Sequence, residues 1–250
     1  MKCVLLCAVL LLGWFNQSSA ANSQKKNQIN ESTQKTMKVH QILEGFSNPP
    51  LELVSETLDQ DVPGLKLETL NWEEFPYLPD VEVQIAYNDN ELFLQYKVNE
   101  QSVKAEQGAN NGKVWTDSCV EFFLSPDRND IYYNLEMNCI GTALLGFRKK
   151  GDPTEHAPDE VINSIRRIST LGNATFHEKK EQTAWKITVA IPWKVFFKHN
   201  LTPVKGKKMR GNFYKCGDEL SVPHFVSWTK IDTEKPAFHM PEFFGGLEFE

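Results

Sequence analysis

Regular alternation of apolar and polar residues marks the central part of the chain. Apolar side chains occupy every second position over residues 81–87 and again over residues 92–98, with Asn88-Asp89-Asn90 between the two runs. Alternation with a period of two is typical of half-buried β-strands, and Asn and Asp are frequent in tight turns. The pattern therefore predicts a β-hairpin with one buried face on each strand.

Shorter strand-like runs follow along the rest of the chain. They cover residues 118–124, 132–139, 142–148, 164–170, 174–178, 184–191, 209–215, 226–230 and 246–249. One short helix is predicted over residues 192–197, because proline at position 192 is well placed to begin a helix. About ten short strands with turns between them predict an all-β protein, an antiparallel β-sandwich with one short helix.

The beginning of the chain has a different composition. Residues 4–15 are almost continuously apolar, and residues 18–20 (SSA) offer a small-residue cleavage site, so residues 1–20 are predicted to be a secretory signal peptide. The apolar run is too short for a membrane-spanning helix, which needs about 20 residues. Residues 21–36 are polar and predict a flexible leader, while residues 37–250 predict one domain. We therefore expect an exported protein, periplasmic or extracellular, without a membrane span.

The net charge limits which partners the protein can bind, and the number of cysteines limits how disulfides can stabilise it. The chain has 27 basic and 33 acidic residues and a formal net charge of -6, which argues against a nucleic-acid partner. Removal of residues 1–20 leaves three cysteines, which allow at most one internal disulfide. Cys139 and Cys216 each lie in a motif beside a turn glycine, which favours them as the disulfide pair, with Cys119 as a buried free thiol. A hydrophobic core, not a disulfide framework, has to hold such a domain.

The sequence lacks the common signatures of catalysis but contains one polar strand face. GxGxxG, GxxxxGK[ST], GxSxG and HExxH are all missing, and no histidines stand at metal-ligand spacing. If two of the predicted strands are neighbours, Glu121, Glu136, Asn134 and Asn138 share one face of the sheet. This face has three interpretations: a solvated surface, a floor that hydrogen-bonds a hydroxyl-rich ligand, or the acid/base pair of a glycosidase.

Two aromatic residues lie in loops beside predicted strands. Trp115 precedes the strand that carries Glu121, and Phe238 lies in a proline-bounded loop over residues 236–241. An exposed aromatic ring stacks on the apolar C–H face of a sugar while neighbouring polar groups bind the hydroxyls. Trp115 and Phe238 therefore predict the two walls of a carbohydrate site. The alternative for Trp115 is that it caps the core.

These segments resemble a known family. VWTDSCVEFF at residues 114–123 resembles the W-x-x-D-S-V-E-x-F segment of family 9 carbohydrate-binding modules. The opening strands of that family resemble the hairpin VEVQIAYNDNELFLQYKV, and its closing loop resembles the C-terminal segment PAFHMPEFFGGL. Two further segments, NCIGT and NFYKCGD, are similar to those of its exported members from Bacteroides-type bacteria. The resemblance covers residues 40–250. It implies a non-catalytic β-sandwich that clamps a sugar between two aromatic residues.

The resemblance also assigns roles to individual residues. Trp115 and Phe238 match the two clamp positions, and Glu121 and Asn138 match polar residues that reach sugar hydroxyls. Glu136 stands where the sugar-binding modules carry an arginine. Family members bind calcium structurally, so calcium is an expectation without a ligand set that maps onto this sequence, and no other cofactor is implied.

The implied partners are an oligo- or polysaccharide, bound at the reducing end of a glucan or xylan chain, and a separate glycoside hydrolase. The favoured hypothesis is an exported non-catalytic protein that serves polysaccharide capture or degradation through Trp115, Phe238, Glu121, Glu136 and Asn138. The alternatives are a glycoside hydrolase that uses Glu121 and Glu136, and an adhesion or scaffold domain without sugar binding.

Overall fold

The computed structural model describes residues 35–127, 130–149 and 151–250. The predicted signal peptide, and the predicted leader up to residue 34, lie outside the described residues. Thr36, assigned to the leader from the sequence, is the first residue of a strand, and residues Thr36–Glu250 form one unit. No helix in the described part of the chain is long and apolar enough to cross a membrane.

Strands dominate the described residues. They are β1 (Thr36–Gln41), β2 (Leu65–Lys66), β3 (Thr69–Leu70), β4 (Asp80–Tyr87), β5 (Glu91–Glu100), β6 (Val103–Ala105), β7 (Cys119–Ser125), β8 (Ile131–Asn138), β9 (Ala143–Lys149), β10 (Glu155–His156), β11 (Arg166–Ser169), β12 (Phe176–Lys179), β13 (Thr183–Pro192), β14 (Lys208–Cys216), β15 (Phe225–Ser227) and β16 (Gly245–Phe249). The helices are α1 (Leu51–Asp61) and α2 (Asp159–Asn163), and 3₁₀ turns occur at Val114–Thr116, Trp193–Val195 and Pro241–Phe243.

Most strands belong to one curled sheet, in the order β10-β9-β8-β7-β14-β16-β1-β4-β5-β13-β11, while β6 and β12 form a small second sheet. β1 joins the two halves of the curled sheet, because residues 36–39 pair with β16 and residues 40–41 pair with β4. Both of these pairings are parallel. The predicted β-sandwich is confirmed. The purely antiparallel arrangement is wrong at β1, where one strand hydrogen-bonds to both halves.

Each half of the curled sheet has one apolar face, and the two apolar faces pack together in a shared hydrophobic core. Val83 and Ile85 of β4 lie in this core together with Phe122 of β7 and Phe213 of β14. Successive residues of a strand point to opposite faces. The residues that alternate with the core residues on β7, β8 and β14 therefore face away from the core, and this outer face carries the candidate site.

The helix content differs from the single short helix that was predicted. The prediction for residues 192–197 corresponds to a 3₁₀ turn at Trp193–Val195. The longest helix, α1, begins directly after Pro50 and buries Val54 and Leu58, which are four residues apart and so share one helix face. At the C-terminal end of α1, Gln84 Nε2 donates to Leu58 O at 2.6 Å and to Val62 O, just after the helix, at 2.7 Å.

A buried charged network links the two halves of the sheet. Lys215 Nζ lies 2.9 Å from Glu100 Oε2, and both side chains are fully buried. Trp185 Nε1 donates to Glu100 Oε1 at 2.7 Å, and Lys215 Nζ donates to His224 Nε2 at 2.7 Å. Because this His224 nitrogen accepts, the ring proton is assigned to Nδ1, which donates to Val222 O at 3.0 Å. His224 is therefore neutral in the folded protein.

The buried neutral His224 makes stability depend on pH. Burial, and after it the charge of Lys215, lowers the pKa of His224 to about 2. In the unfolded chain a histidine pKa is about 6.5, so its stabilisation is complete above that pH and is lost as the pH falls. Relative to a His224→Gln variant, the wild-type free energy of unfolding is expected to fall by about 1.7 kcal/mol between pH 6.5 and about pH 5. Urea denaturation of both proteins at these two pH values checks this, and a pH-independent difference would contradict it.

Candidate functional site

The outer face of β7, β8 and β14 carries a row of polar and thiol side chains. Glu121 of β7 lies directly opposite Glu136 of β8, and on its other side it lies opposite Tyr214 of β14. Cys119, two residues before Glu121, lies opposite Cys216. Because alternate residues of a strand share a face, all five side chains project to the same side of the sheet.

A pocket of about 320 Å³ lies over this face. Trp115, Phe238, Glu121 and Glu136 line it, so the structure brings together all the predicted site residues except Asn138. The remaining lining residues, which were not predicted, are Leu144, Arg148, His156, Asp218, Phe225, Pro236, Ala237 and His239. The volume lies near the lower end of the range of about 300–1,000 Å³ that is typical of small-molecule sites.

Trp115 is presented at the pocket by the 3₁₀ turn Val114–Thr116. Its carbonyl accepts a hydrogen bond from the backbone N–H of Asp218 at 3.1 Å. The fully buried carboxylate of Asp117 accepts hydrogen bonds from two backbone N–H groups of the preceding loop, at 2.9 to 3.0 Å. The backbone around Trp115 is thus fixed from both sides, while the indole itself remains half-buried.

Phe238 forms a second apolar wall and is supported from behind. Its ring stacks on that of Tyr214 with centroids 4.2 Å apart and an interplanar angle of 13°. Tyr214 Oη also donates a hydrogen bond to Phe238 O at 3.1 Å. One face of the Phe238 ring is therefore covered by protein. Of its two faces, only the other is left for a ligand in the pocket.

The pocket floor is a chain of hydrogen-bonded polar groups. Arg148 Nε donates to Asn134 Oδ1 at 3.2 Å, and Asn134 Nδ2 donates to Glu136 Oε1 at 2.8 Å. On the neighbouring strand, the Cys216 thiol donates to Glu121 Oε1 at 3.2 Å. Glu121 and Glu136 are each only 3% exposed, so the protein holds both carboxyl groups in fixed positions.

Burial raises the pKa values of the carboxyl groups in the pocket floor. It raises the pKa of Glu121 well above its usual value, and the adjacent Glu136 raises it further. The pKa of Glu136 is also raised, again chiefly by burial. Burial likewise raises the pKa of Asp218, to about 6. A raised pKa means that a carboxyl group keeps its proton to a higher pH, and in that form the group donates as well as accepts hydrogen bonds.

Asn138 lies on the same strand face as Glu136 but does not line the pocket. Its Nδ2 donates to Gln107 O at 2.9 Å and to Asp117 Oδ2 at 3.0 Å. Its Oδ1 accepts from the backbone N–H of Thr142 at 2.9 Å. The side chain is fully buried and occupied by these partners, so the structure places Asn138 in the support of the neighbouring loop and not at the ligand surface.

The predicted disulfide between Cys139 and Cys216 is wrong. All three described cysteines are free and buried, and Cys216 faces Cys119 across the β7–β14 pairing. Cys139 follows β8 directly and lies in the main core, where its thiol donates to Lys104 O at 3.4 Å. The prediction failed because proximity to turn glycines is local, whereas the partner of a strand cysteine depends on which strands are neighbours.

The family resemblance predicts a structural calcium ion, which requires a set of converging oxygen ligands. Among the described residues, the only group of three His, Cys, Asp or Glu side chains with converging ligand atoms is Cys119, Glu121 and Cys216. Calcium takes six to eight oxygen ligands, so two sulfurs and one carboxylate do not fit it. The calcium expectation therefore has no support in this group.

Arg148 and Asp218 are the charged lining residues that the sequence analysis missed. Arg148 lies on β9 and is one strand further from Glu121 than Glu136 is. A signal for its position was present in Gly146, because a Cβ atom there would lie 2.5 Å from Asn134 Oδ1. Gly146 thus leaves room for the Asn134 side chain that links Arg148 to the floor. Asp218 follows β14, and no periodic signal marked it.

Solved structures similar to this chain share its fold. A crystal structure of a protein from Bacteroides uniformis ATCC 8492, provisionally described as carbohydrate-binding, is 39% identical, with a TM-score of 0.83, and the match covers 87% of this chain and 100% of that one. A family 9 carbohydrate-binding module from Caldicellulosiruptor kristjanssonii in complex with cellotriose is 13% identical, with a TM-score of 0.53 and coverage of 86% and 94%. A structure of a family 9 module from the same organism in complex with glucose is 13% identical, with a TM-score of 0.51, and the match covers 86% of this chain and 96% of that one.

The family itself is established by the sequence match. No curated protein matches the chain. The family model for carbohydrate-binding family 9 matches residues 52–249, which include β2 to β16, the pocket and both of its aromatic walls. The chain therefore belongs to carbohydrate-binding family 9.

Proposed function

We propose that this protein is a non-catalytic carbohydrate-binding protein and that the pocket lined by Trp115 and Phe238 is its sugar site. The observation that carries the proposal is the combination of two apolar aromatic walls with a hydrogen-bonding floor in one pocket. A pyranose ring has the same two-sided chemistry, with apolar C–H faces and hydroxyl groups around the rim. Family membership supports this assignment.

The floor offers the donors and acceptors that sugar hydroxyls require. Arg148 supplies guanidinium N–H groups, while Glu121, Glu136 and Asp218 supply carboxyl oxygens. Hydrogen bonds from the charged guanidinium of Arg148 are about twice as strong as those between neutral groups. Because most of these side chains are held by protein partners, the site is organised before the ligand arrives, which lowers the entropy cost of binding.

A glucose-based chain is the ligand class that we propose. The distant structural neighbours were determined with cellotriose and with glucose. In this proposal the protein is exported and captures polysaccharide or its fragments for a separate glycoside hydrolase. An adhesion or scaffold role without sugar binding remains the alternative that a binding assay separates from it.

The arrangement of the two floor glutamates favours binding over hydrolysis. Glycosidase carboxyls lie on either side of the bond that is cleaved. Here Glu121 and Glu136 are directly opposite residues on neighbouring strands, and both project from one floor toward the same side of a ligand. A hydrolase would release the aryl group of an aryl glycoside and lose that activity in Glu121→Gln, and such turnover would contradict the proposal.

Trp115→Ala is expected to weaken glycan binding while leaving the fold intact. One aromatic wall is lost, and removal of a stacking ring from a bound ring costs about 1–3 kcal/mol by analogy with base stacking, or about 5- to 150-fold in Kd. Trp115 is half-buried in a surface turn, so we expect its loss to change stability little. Isothermal titration calorimetry with cellotriose and glucose, after a glycan-array screen, measures the affinity.

Phe46→Ala is the matched control, since Phe46 is an exposed aromatic residue (47%) that does not line the pocket. Its affinity should equal that of the wild type. Wild-type binding that persists unchanged in Trp115→Ala would move the sugar site elsewhere. Absence of binding to every glycan by the wild type would reject the function itself.

A further inference from the structure

Two thiols and a carboxylate converge under the pocket. The Sγ atoms of Cys119 and Cys216 and a carboxylate oxygen of Glu121 all lie within 4.8 Å of one another, and all three residues are buried. The Cys216 thiol is already 3.2 Å from Glu121 Oε1. Sugar binding gives no reason for two cysteines in this position, because neither of them lines the pocket.

Strand register explains why these groups meet. Cys119 and Cys216 are directly opposite each other on β7 and β14, and Glu121 follows Cys119 by two residues on the same face. Each residue therefore stands on a central strand of the sheet, and each backbone is fixed by the pairing of that strand on both sides. A Cys-x-Glu segment facing a single cysteine thus gives three ligand groups that converge without any loop.

The distances suit a small tetrahedral metal ion. Zinc binds cysteine sulfur at about 2.3 Å and carboxylate oxygen at about 2.0–2.2 Å, so a tetrahedral site places two sulfurs about 3.8 Å apart and sulfur and oxygen about 3.5 Å apart. All three present separations are within 4.8 Å, so small side-chain rotations bring the atoms to these values. Thiolates select zinc over the oxygen-preferring ions magnesium and calcium.

We propose that Cys119, Cys216 and Glu121 form a zinc-binding site beneath the pocket. Glu121 lines the pocket as well as belonging to the cluster, so the pocket provides a path by which the ion can enter. Three protein ligands leave one position of a tetrahedral zinc ion to be filled. Asp218 lines the same pocket as Glu121 and follows Cys216 by two residues. Asp218 or a water molecule completes the tetrahedron. The zinc site shares Glu121 with the proposed sugar site, but metal uptake is measured without sugar, so the two proposals can fail separately.

The test is direct metal binding by the purified, reduced chain, free of chelator. Zinc content after equilibration with zinc chloride and dialysis is expected to reach one equivalent per chain. Cobalt(II) is the spectroscopic probe, and thiolate coordination should produce a sulfur-to-cobalt charge-transfer band together with the strong visible bands of a tetrahedral site. Affinity for cobalt, and for zinc by competition, is measured without any sugar present.

Variants assign the ligands. Cys119→Ser and Cys216→Ser each remove one of the two thiolates, so each should lower the charge-transfer intensity per bound cobalt. Each should also weaken zinc binding by at least about 100-fold, which is the upper figure for loss of a group that only supports a metal ligand. Glu121→Gln should retain the band but bind zinc more weakly. Cys139→Ser is the matched control, because this third buried cysteine lies in the main core, and its binding should equal that of the wild type.

Three results would overturn the proposal. The first is reduced wild-type protein that takes up no zinc or cobalt. The second is a Cys139→Ser variant that loses binding as fully as Cys119→Ser does. The third is a disulfide between Cys119 and Cys216 in protein isolated from the producing cells, shown by peptide mass spectrometry. Circular dichroism and urea denaturation of each variant confirm that it is folded, so a loss of metal cannot be mistaken for unfolding.

Discussion

Lys215→Met is expected to lower the free energy of unfolding by about 3–5 kcal/mol, since removal of one partner leaves a buried charge uncompensated. Lys215 and Glu100 are fully buried, with Nζ 2.9 Å from Oε2. Methionine fills most of the space of the lysine chain but leaves the Glu100 carboxylate without a cation. It also removes the hydrogen bond from Nζ to Cys216 O, which measures 2.8 Å.

Two further variants make this expectation specific. In Lys215→Met/Glu100→Gln both charges are absent, and Trp185 can still donate to the amide oxygen, so the double variant should regain most of the lost stability. Lys97→Met removes a half-exposed lysine that lies 2.6 Å from Asp59, and this change should cost no more than about 1 kcal/mol. Urea denaturation at pH 7 compares them. A Lys215→Met variant as mild as Lys97→Met would refute the expectation.

The Lys215–Glu100 ion pair also shows what the sequence pattern could not predict. The alternation that predicted a strand over residues 209–215 is correct, but it places Lys215 among inward-facing residues, where a charge is out of pattern. The reason lies more than a hundred residues away, at Glu100 on the other half of the sheet. Periodicity reports which face a residue occupies. It does not report which side chain of another strand meets it.

In the candidate site, too, the sequence predicted the strand face of each residue but not its partners. Alternation placed Glu121 and Glu136 on one face, and the structure makes them direct cross-strand neighbours. It also placed Asn138 there, yet the Asn138 side chain is hydrogen-bonded to Gln107, Asp117 and Thr142. Strand faces could be predicted because they depend on the neighbours of a residue in sequence. Pocket membership could not, because it depends on which loops cover the face.

Arg148 adds a charge that the family resemblance did not provide for. The resemblance puts an arginine where this chain has Glu136, and Arg148 of the neighbouring strand β9 brings a guanidinium into the same pocket. Asn134 connects the two side chains by hydrogen bonds of 3.2 and 2.8 Å. The site therefore keeps a cationic donor but receives it from another strand. A comparison of single aligned positions shows only the reversed charge at Glu136, because Arg148 lies at a different position in the sequence.

Tyr214→Ala is expected to lower both stability and glycan affinity, because Tyr214 is the support of the Phe238 wall. The tyrosine is fully buried, and its ring stacks on Phe238 at 4.2 Å and packs edge-on against Phe123 at 4.9 Å. Removal of a buried aromatic ring costs about 3–5 kcal/mol of unfolding free energy. The cavity would lie directly behind Phe238, because the Tyr214 ring stacks on it. If Phe238 is a wall of the proposed sugar site, the ring then tilts into the cavity and its contact with the ligand is lost. We expect cellotriose affinity to fall by about 5- to 150-fold, as for loss of one stacking wall.

Two matched variants separate the support of Phe238 from general loosening of the domain. Tyr214→Phe keeps the ring stack and loses only the hydrogen bond to Phe238 O, so it should cost about 1 kcal/mol of stability and leave affinity close to wild type. Phe213→Ala removes the neighbouring ring on β14, which faces the main core, and should destabilise as much as Tyr214→Ala without weakening binding. Calorimetry with cellotriose at a temperature where every variant is folded decides between them. Equal loss of affinity in Phe213→Ala and Tyr214→Ala would show that binding depends on overall rigidity. Loss in Tyr214→Ala alone would assign the effect to the ring behind Phe238.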